Sequence, residues 1–200
     1  MKINENTKLV SGKVVLVPYE KKHVLKYHEW MKSEELQQLT ASEPLTLEEE
    51  YSMQESWRND DNKCTFIVLD KKRYDHTEAS EIDSMVGDVN LFFNDEVDKS
   101  TAEIEIMIAD PSARGQGIGK EALFCMMVYG FEELSVRCYT AKIGYDNHTS
   151  ATMFTKIGFK EIQKSDVFRE TTYELRVTDD VIAGILQGSQ LYKEERYEKR

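Results

Sequence analysis

The segment PSARGQGIGKEAL, Pro111 to Leu123, holds Gly115, Gly117 and Gly119 at alternate positions, three of the ten glycines in a chain of 200 residues. Glycine has no Cβ, so a backbone rich in it can turn sharply and approach another group closely. An apolar strand pattern, AEIEIMIA from Ala102, precedes the glycines, and a helical pattern from Gly117 to Leu134 follows them. A strand, a tight glycine turn and a helix start together make an anion cradle. The turn lets amide N–H groups converge, and the helix N-terminus adds orphan donors and a favourable dipole. Two familiar cradles fail on residues. The dinucleotide fingerprint counted from Gly115 needs glycine at 120, where Lys120 stands. The P-loop needs a hydroxyl residue after Gly119-Lys120, where Glu121 stands, and its first glycine falls on Arg114.

The elements that position this turn follow from periodicity. GKVVLVPYE (12–20) reads as a strand, KKHVLKYHEWMKS (21–33) as an amphipathic helix, and Thr46 with Glu49 as a capping box opening a second helix to about Trp57. KCTFIVLD (63–70) is a buried strand, and the charged, aperiodic stretch 71–83 a solvated loop. SMVGDVNLFFN (84–94) and TAEIEIMIADP (101–111) are strands; in the latter Ile104, Ile106 and Ile108 face one way and Glu103, Glu105 and Met107 the other. Beyond the glycine helix come a strand (136–144), a helix (147–158) and two strands (159–168 and 169–178). After Thr178 the pattern fades into a weak helix and a charged tail, 179–200. The expectation is one α+β domain, residues 1–178, with a mixed central sheet.

The bulk numbers narrow the partners. Hydrophobic residues make up 40% and charged residues 32%, as in a globular protein. A net charge of −11 argues against a general nucleic-acid binder and suits a basic or amine-bearing partner. Cys64, Cys125 and Cys138 are odd in number and each apolar in setting, which reads as reduced core thiols. There is no apolar run of signal-peptide or membrane-spanning type, so no membrane partner is expected and the expected compartment is the cytoplasm, with the nucleus left open. His28-Glu29 begins like a zinc-binding H-E-x-x-H, but Lys32 fills the second histidine's place, and no metal is expected.

A second motif joins the first. NHTSATMFTKIGF, Asn147 to Phe159, has Asn147 and Ser150 where a helix is capped and Gly158 where it ends. Together with Arg114-x-x-Gly117-x-Gly119, in this order and spacing, it resembles the superfamily of GCN5-related N-acetyltransferases (GNAT). The resemblance extends over most of residues 1–177 to a small branch whose acceptors are proteins, tubulin or another. It implies a mostly antiparallel central sheet flanked by about four helices, with acetyl-coenzyme A as cosubstrate. The turn from Arg114 through Gly115, Gln116, Gly117, Ile118 and Gly119 to Lys120 would hold the pyrophosphate. Backbone groups of Ile106, Met107 and Ile108 would hold the pantetheine arm, and Asn147, Ser150 and Phe154 would lie on its other side.

Acetyl transfer to an amine needs a neutral nucleophile, an oxyanion stabiliser and a proton for the leaving thiolate. A lysine amine is almost all ammonium at pH 7, and an α-amine is partly free, so either gains from a general base. Glu103 and Glu105 are the candidates. Glu103 stands 11 residues before Arg114, where histone-type members of the superfamily carry their catalytic glutamate. Many relatives place tyrosine seven residues after the asparagine; here that position is Phe154, which has no proton to give. Tyr145 and Tyr173 are the remaining hydroxyl candidates, with water as the third source. The reading is an acetyl-coenzyme A-dependent N-acetyltransferase acting on a protein amine. Its rivals are a non-catalytic coenzyme-binding or cytoskeletal interaction protein, which Phe154 favours, and an acetyltransferase of small-molecule amines.

Overall fold

The computed structural model describes residues 2–76, 80–95, 97–188 and 192–198. Its centre is one open sheet of nine strands: β1 (Thr7–Val10), β2 (Val14–Pro18), β3 (Lys63–Asp70), β4 (Met85–Phe92), β5 (Thr101–Ile108), β6 (Cys138–Gly144), β7 (Lys160–Ser165), β8 (Glu170–Arg176) and β9 (Lys193–Arg196). Their order is β7-β8-β6-β5-β4-β3-β2-β1-β9. Every pairing is antiparallel except β5 with β6. The strands covered on both faces, β2, β3 and β4, are the ones that read as near-continuous apolar runs.

Two apolar layers close the sheet. Helices α1 (Val24–Met31), α2 (Glu34–Leu39) and α3 (Leu47–Asn59) cover one face through Val24, Tyr27, Leu36 and Trp57, packed on Val15, Val17, Ile67 and Met107. Two one-turn helices, α4 (Lys71–Tyr74) and α5 (Glu81–Ser84), lie between β3 and β4. The long helix α6 (Ile118–Glu132) covers the other face with α7 (His148–Ile157) and α8 (Asp179–Gly188). From Ala122 to Gly130 all but Phe124 of α6 is buried, so the helix is apolar almost all round and runs through the core.

The sheet class agrees with the expectation, and Thr46 and Glu49 form the expected capping box. The three cysteines are free and buried. Other elements differ. The sequence pattern gives seven strands; β1 and β9 are the additions, and β9 pairs along β1 from Thr7↔Arg196 to Val10↔Lys193. All four residues of β9 are exposed, so no alternation marks it; the anchor is Tyr197, 4% exposed, whose hydroxyl donates to Glu81 at 2.9 Å. The stretch 71–83 is not all loop: Asp70 caps α4 and Ser80 caps α5, while residues 77–79 lie outside the described set. The short α2 escapes the sequence reading because six residues cannot show a period.

Candidate active site

The site is built where two strands part. Parallel β5 and β6 pair only over Thr101↔Cys138, Ala102↔Tyr139 and Glu103↔Thr140. Beyond that point β6 stays with β8 as far as Gly144, while β5 stays with β4 as far as Ile108. The two strands therefore diverge like a fork. Ala109 N–H donates to Val86 O, and antiparallel bonding alternates along the strand. Hence residues 103, 105 and 107 turn their backbone groups to β4, and Ile106 and Ile108 turn theirs into the fork. Met107 instead bonds its backbone toward Asp88 and packs its side chain among α1–α3. Gly87 permits the close β4–β5 approach here, since a Cβ on it would lie 1.9 Å from Met107 O.

The glycine turn closes the open end of the fork. Gly115 (φ +72°) and Gly117 (φ +81°) occupy the left-handed region that L side chains rarely adopt. Gly117 is the N-cap of α6, and the amides of Ile118, Gly119 and Lys120 follow with no acceptor within the helix. A Cβ on Gly119 would press on Ile108 Cγ1 at 3.3 Å, so this glycine lets α6 lie against β5. Arg114 ties the turn down: Nε donates to Ile108 O at 2.9 Å, and Nη1 pairs with Glu35 of α2 at 2.8 Å.

On the α1–α3 face of β3, β4 and β5 the cross-strand register aligns Thr65, Asn90 and Glu105 in one row, with Lys63, Phe92 and Glu103 in the next. Thr65 Oγ1 donates to Asn90 Oδ1 at 2.7 Å, and Asn90 Nδ2 donates to Asp88 Oδ2 at 2.6 Å. Burial pushes the Asp88 carboxyl up to about 6. Lys63, under the rings of Trp57 and Phe92, is pulled down to about 7 by burial. Glu105 is open to solvent at the mouth of this recess yet has protein mass around it. Burial in the recess, and then the charge of Glu103, raise its carboxyl to about 7. Glu103 is 8% exposed and its Oε2 is engaged twice, by Lys142 Nζ at 2.8 Å and by Asn94 Nδ2 at 3.0 Å.

The other candidates are dispersed. Asn147 caps α7, its Oδ1 accepting from Ser150 N–H at 3.1 Å. Phe154 is 2% exposed and packs edge-on against Phe159 at 4.9 Å, on the α6 side of the sheet. Tyr173 lies on that same side, opposite Ala141 of β6. The Tyr145 hydroxyl donates to Asp166 at 2.9 Å, in the β7–β8 turn. Lys63, Asp88, Asn90 and Lys142 are the polar neighbours that the sequence reading missed. The signal existed: Asp88 and Asn90 interrupt an apolar run at period two, and so do Lys63 and Thr65.

A forked strand pair with an amide cradle at its mouth and a carboxylate beside it suits acyl transfer. The acetyltransferase (GNAT) domain family matches residues 13–160, and the chain belongs to that family of N-acetyltransferases. It is 59% identical over 172 residues to an N-acetyltransferase 9-like protein of Nematostella vectensis, covering 86% of this chain and 87% of the relative. It is 50% identical over 199 residues to alpha/beta-tubulin-N-acetyltransferase 9 of Homo sapiens, covering 98% and 96%. Among solved structures, RimL, a ribosomal L7/L12 alpha-N-protein acetyltransferase, superposes in its complex with coenzyme A with a TM-score of 0.68 at 17% identity, over 84% of this chain and 96% of that one, which shows a shared fold. The residues fit such a coenzyme. The left-handed glycines free the amides for an anion, and the Ile106 backbone edge and the Ile108 N–H turn into the fork, where an extended amide-bearing arm could pair, while the Ile108 carbonyl is held by Arg114.

Proposed function

We propose that the protein transfers an acetyl group from acetyl-coenzyme A to an amine of a protein acceptor, with Glu105 as general base. Acetyl-coenzyme A supplies the activated acetyl thioester; this chain supplies its cradle, the fork edge and the base. The observation that carries the assignment is the contrast between the two carboxylates. Glu103 is committed to Lys142 and Asn94, whereas Glu105 faces solvent with its carboxyl raised to about 7. A base works best when its pKa lies near the working pH. A pKa near 7 also matches an α-ammonium, around 7.7–8.0, better than a lysine ammonium, around 10.4. The 11-residue offset favours Glu103; the engaged Oε2 favours Glu105. Backbone N–H groups on the fork edge are the natural donors to a developing oxyanion. Phe154 has no proton and the Tyr145 hydroxyl is held by Asp166, so the leaving thiolate draws on Tyr173 or solvent.

Tubulin as acceptor is supported by the names of the human and Drosophila melanogaster relatives, at 50% and 49% identity. The free cysteines support a reducing, cytoplasmic setting. The test is incubation with isotope-labelled acetyl-coenzyme A and purified tubulin, beside a proteome extract, with acetylated sites mapped by mass spectrometry. Labelled amino termini are expected. Coenzyme binding without transfer to any protein would sink the proposal in favour of a binding role.

A further inference from the structure

The turn between β1 and β2 reaches the glycine cradle from more than a hundred residues away in sequence. Lys13 is exposed on that turn, and its Nζ donates to Gln116 O at 2.8 Å. The same Nζ stands 3.0 Å from where a Cβ on Gly117 would be. The turn is itself fixed to the helix that follows the cradle. Ser11, 1% exposed, donates its hydroxyl to Glu121 Oε1 at 2.6 Å, and the Lys13 N–H donates to the same oxygen at 2.6 Å. Lys71 N–H holds the Lys13 carbonyl at 2.9 Å. Glu121 lies in the first turn of α6. One end of Lys13 is thus anchored to α6, and the other end grips the cradle.

The Gln116–Gly117 peptide is trans, so its C=O and N–H point in opposite directions. With the Gln116 carbonyl held by Lys13, the Gly117 N–H lies on the side of that peptide away from the ammonium. Gly117 sits at φ +81° with no side chain to hold it, and an unrestrained glycine has more conformations to lose on binding than any other residue. An ammonium within hydrogen-bond distance of the turn also adds positive charge beside an anion site.

We propose that Lys13 is a positioning residue for the coenzyme's pyrophosphate: it fixes the Gln116–Gly117 peptide so that its amide faces the anion, and it adds one positive charge to the cradle. The inference rests on the coenzyme reading above. Isothermal titration calorimetry of coenzyme A and of 3′-dephospho-coenzyme A, with the unaltered protein, Lys13→Met and Lys13→Arg, tests it. Lys13→Met is expected to weaken both ligands by about 10-fold, the low end for a hydrogen bond from a charged donor at an exposed site. Lys13→Arg is expected to recover most of that. With acetyl-coenzyme A and a peptide acceptor, KM for the coenzyme should rise while kcat changes little, and the melting temperature without ligand should hold. Unchanged coenzyme A affinity in Lys13→Met overturns the inference. So does a loss confined to coenzyme A, which would put Lys13 on the 3′-phosphate instead. Failure of the unaltered protein to bind either ligand overturns the coenzyme reading itself, and this inference with it.

Discussion

The acid limb of the pH–rate profile is the sharpest check on Glu105, because its neighbours pull in opposite directions. With a carboxyl near 7, the base form of Glu105 rises from about one-tenth at pH 6 to about nine-tenths at pH 8. Burial and Glu103 raise that carboxyl, Lys63 lowers it and Asp88 raises it. Asp88 is the diagonal cross-strand neighbour, through Asn90; such neighbours lie about 7–8 Å apart. A unit charge at about 8 Å is worth roughly 0.5 kcal/mol in water and about 2 kcal/mol at an effective dielectric of 20. That is roughly 0.4–1.5 pH units. Lys63 acts in the opposite direction, and its effect on Glu105 is the larger of the two. Asp88→Asn should therefore move the limb of kcat/KM to lower pH, and Lys63→Met should move it to higher pH. Glu105→Gln should remove the part of the limb that exceeds the acceptor amine's own titration and lower turnover by roughly 10²–10⁴-fold. The assay is kcat/KM from pH 5.5 to 9.5 on one peptide acceptor, whose own amine titration is common to all variants. A limb in Glu105→Gln identical to that of the unaltered protein, or one that moves the same way in both neighbours' variants, refutes the assignment.

Three further outcomes are expected. Gly117→Asp forces an L residue to φ +81° and brings a negative charge to the cradle; coenzyme A should no longer raise the melting temperature, where it does so for the unaltered protein by mass action. Asp88→Asn should stabilise the fold at pH 8: the buried carboxyl sits near 6 against 3.8 unfolded, so the native state holds the proton more tightly and stability falls as pH rises through that window, by up to about 3 kcal/mol. Urea titrations at pH 4 and pH 8 would show the gain growing with pH. Glu103→Gln should weaken the grip on Lys142 and lower the melting temperature, with turnover falling far less than in Glu105→Gln; an equal loss of turnover would return the base to Glu103.

What could be read from residues alone was set by length and period. The glycine turn and the Asn147–Gly158 helix are local, so their spacing displays them directly; the long α6 was legible through its start, although its apolar character all round hides any face. The β5 faces were legible because Ile104, Ile106 and Ile108 alternate cleanly with Glu103, Glu105 and Met107. Strand β9 was not, because an edge strand exposed on both sides has no reason to alternate; Tyr197 holds it through Glu81, 116 residues away in sequence. The choice between the two glutamates was illegible for a similar reason. It turns on Lys142 and Asn94, which topology brings to Glu103 from β6 and from the loop after β4.

Those contacts also explain why one fork needs two carboxylates. Glu103 is the last β5 residue paired with β6, opposite Thr140, and Lys142 is two residues further along β6, on the limb that leaves. An ion pair at that point joins the two strands where their backbone bonds stop. The same negative charge, two residues from Glu105, disfavours ionisation of the second carboxyl and raises it toward neutrality. Removing the Glu103 charge would therefore act on both functions at once: the fork would lose its side-chain brace, and Glu105 would become a weaker base that ionises at lower pH. A strand with alternating glutamates beside a diverging neighbour thus sets both the opening and the basicity of the group beside it.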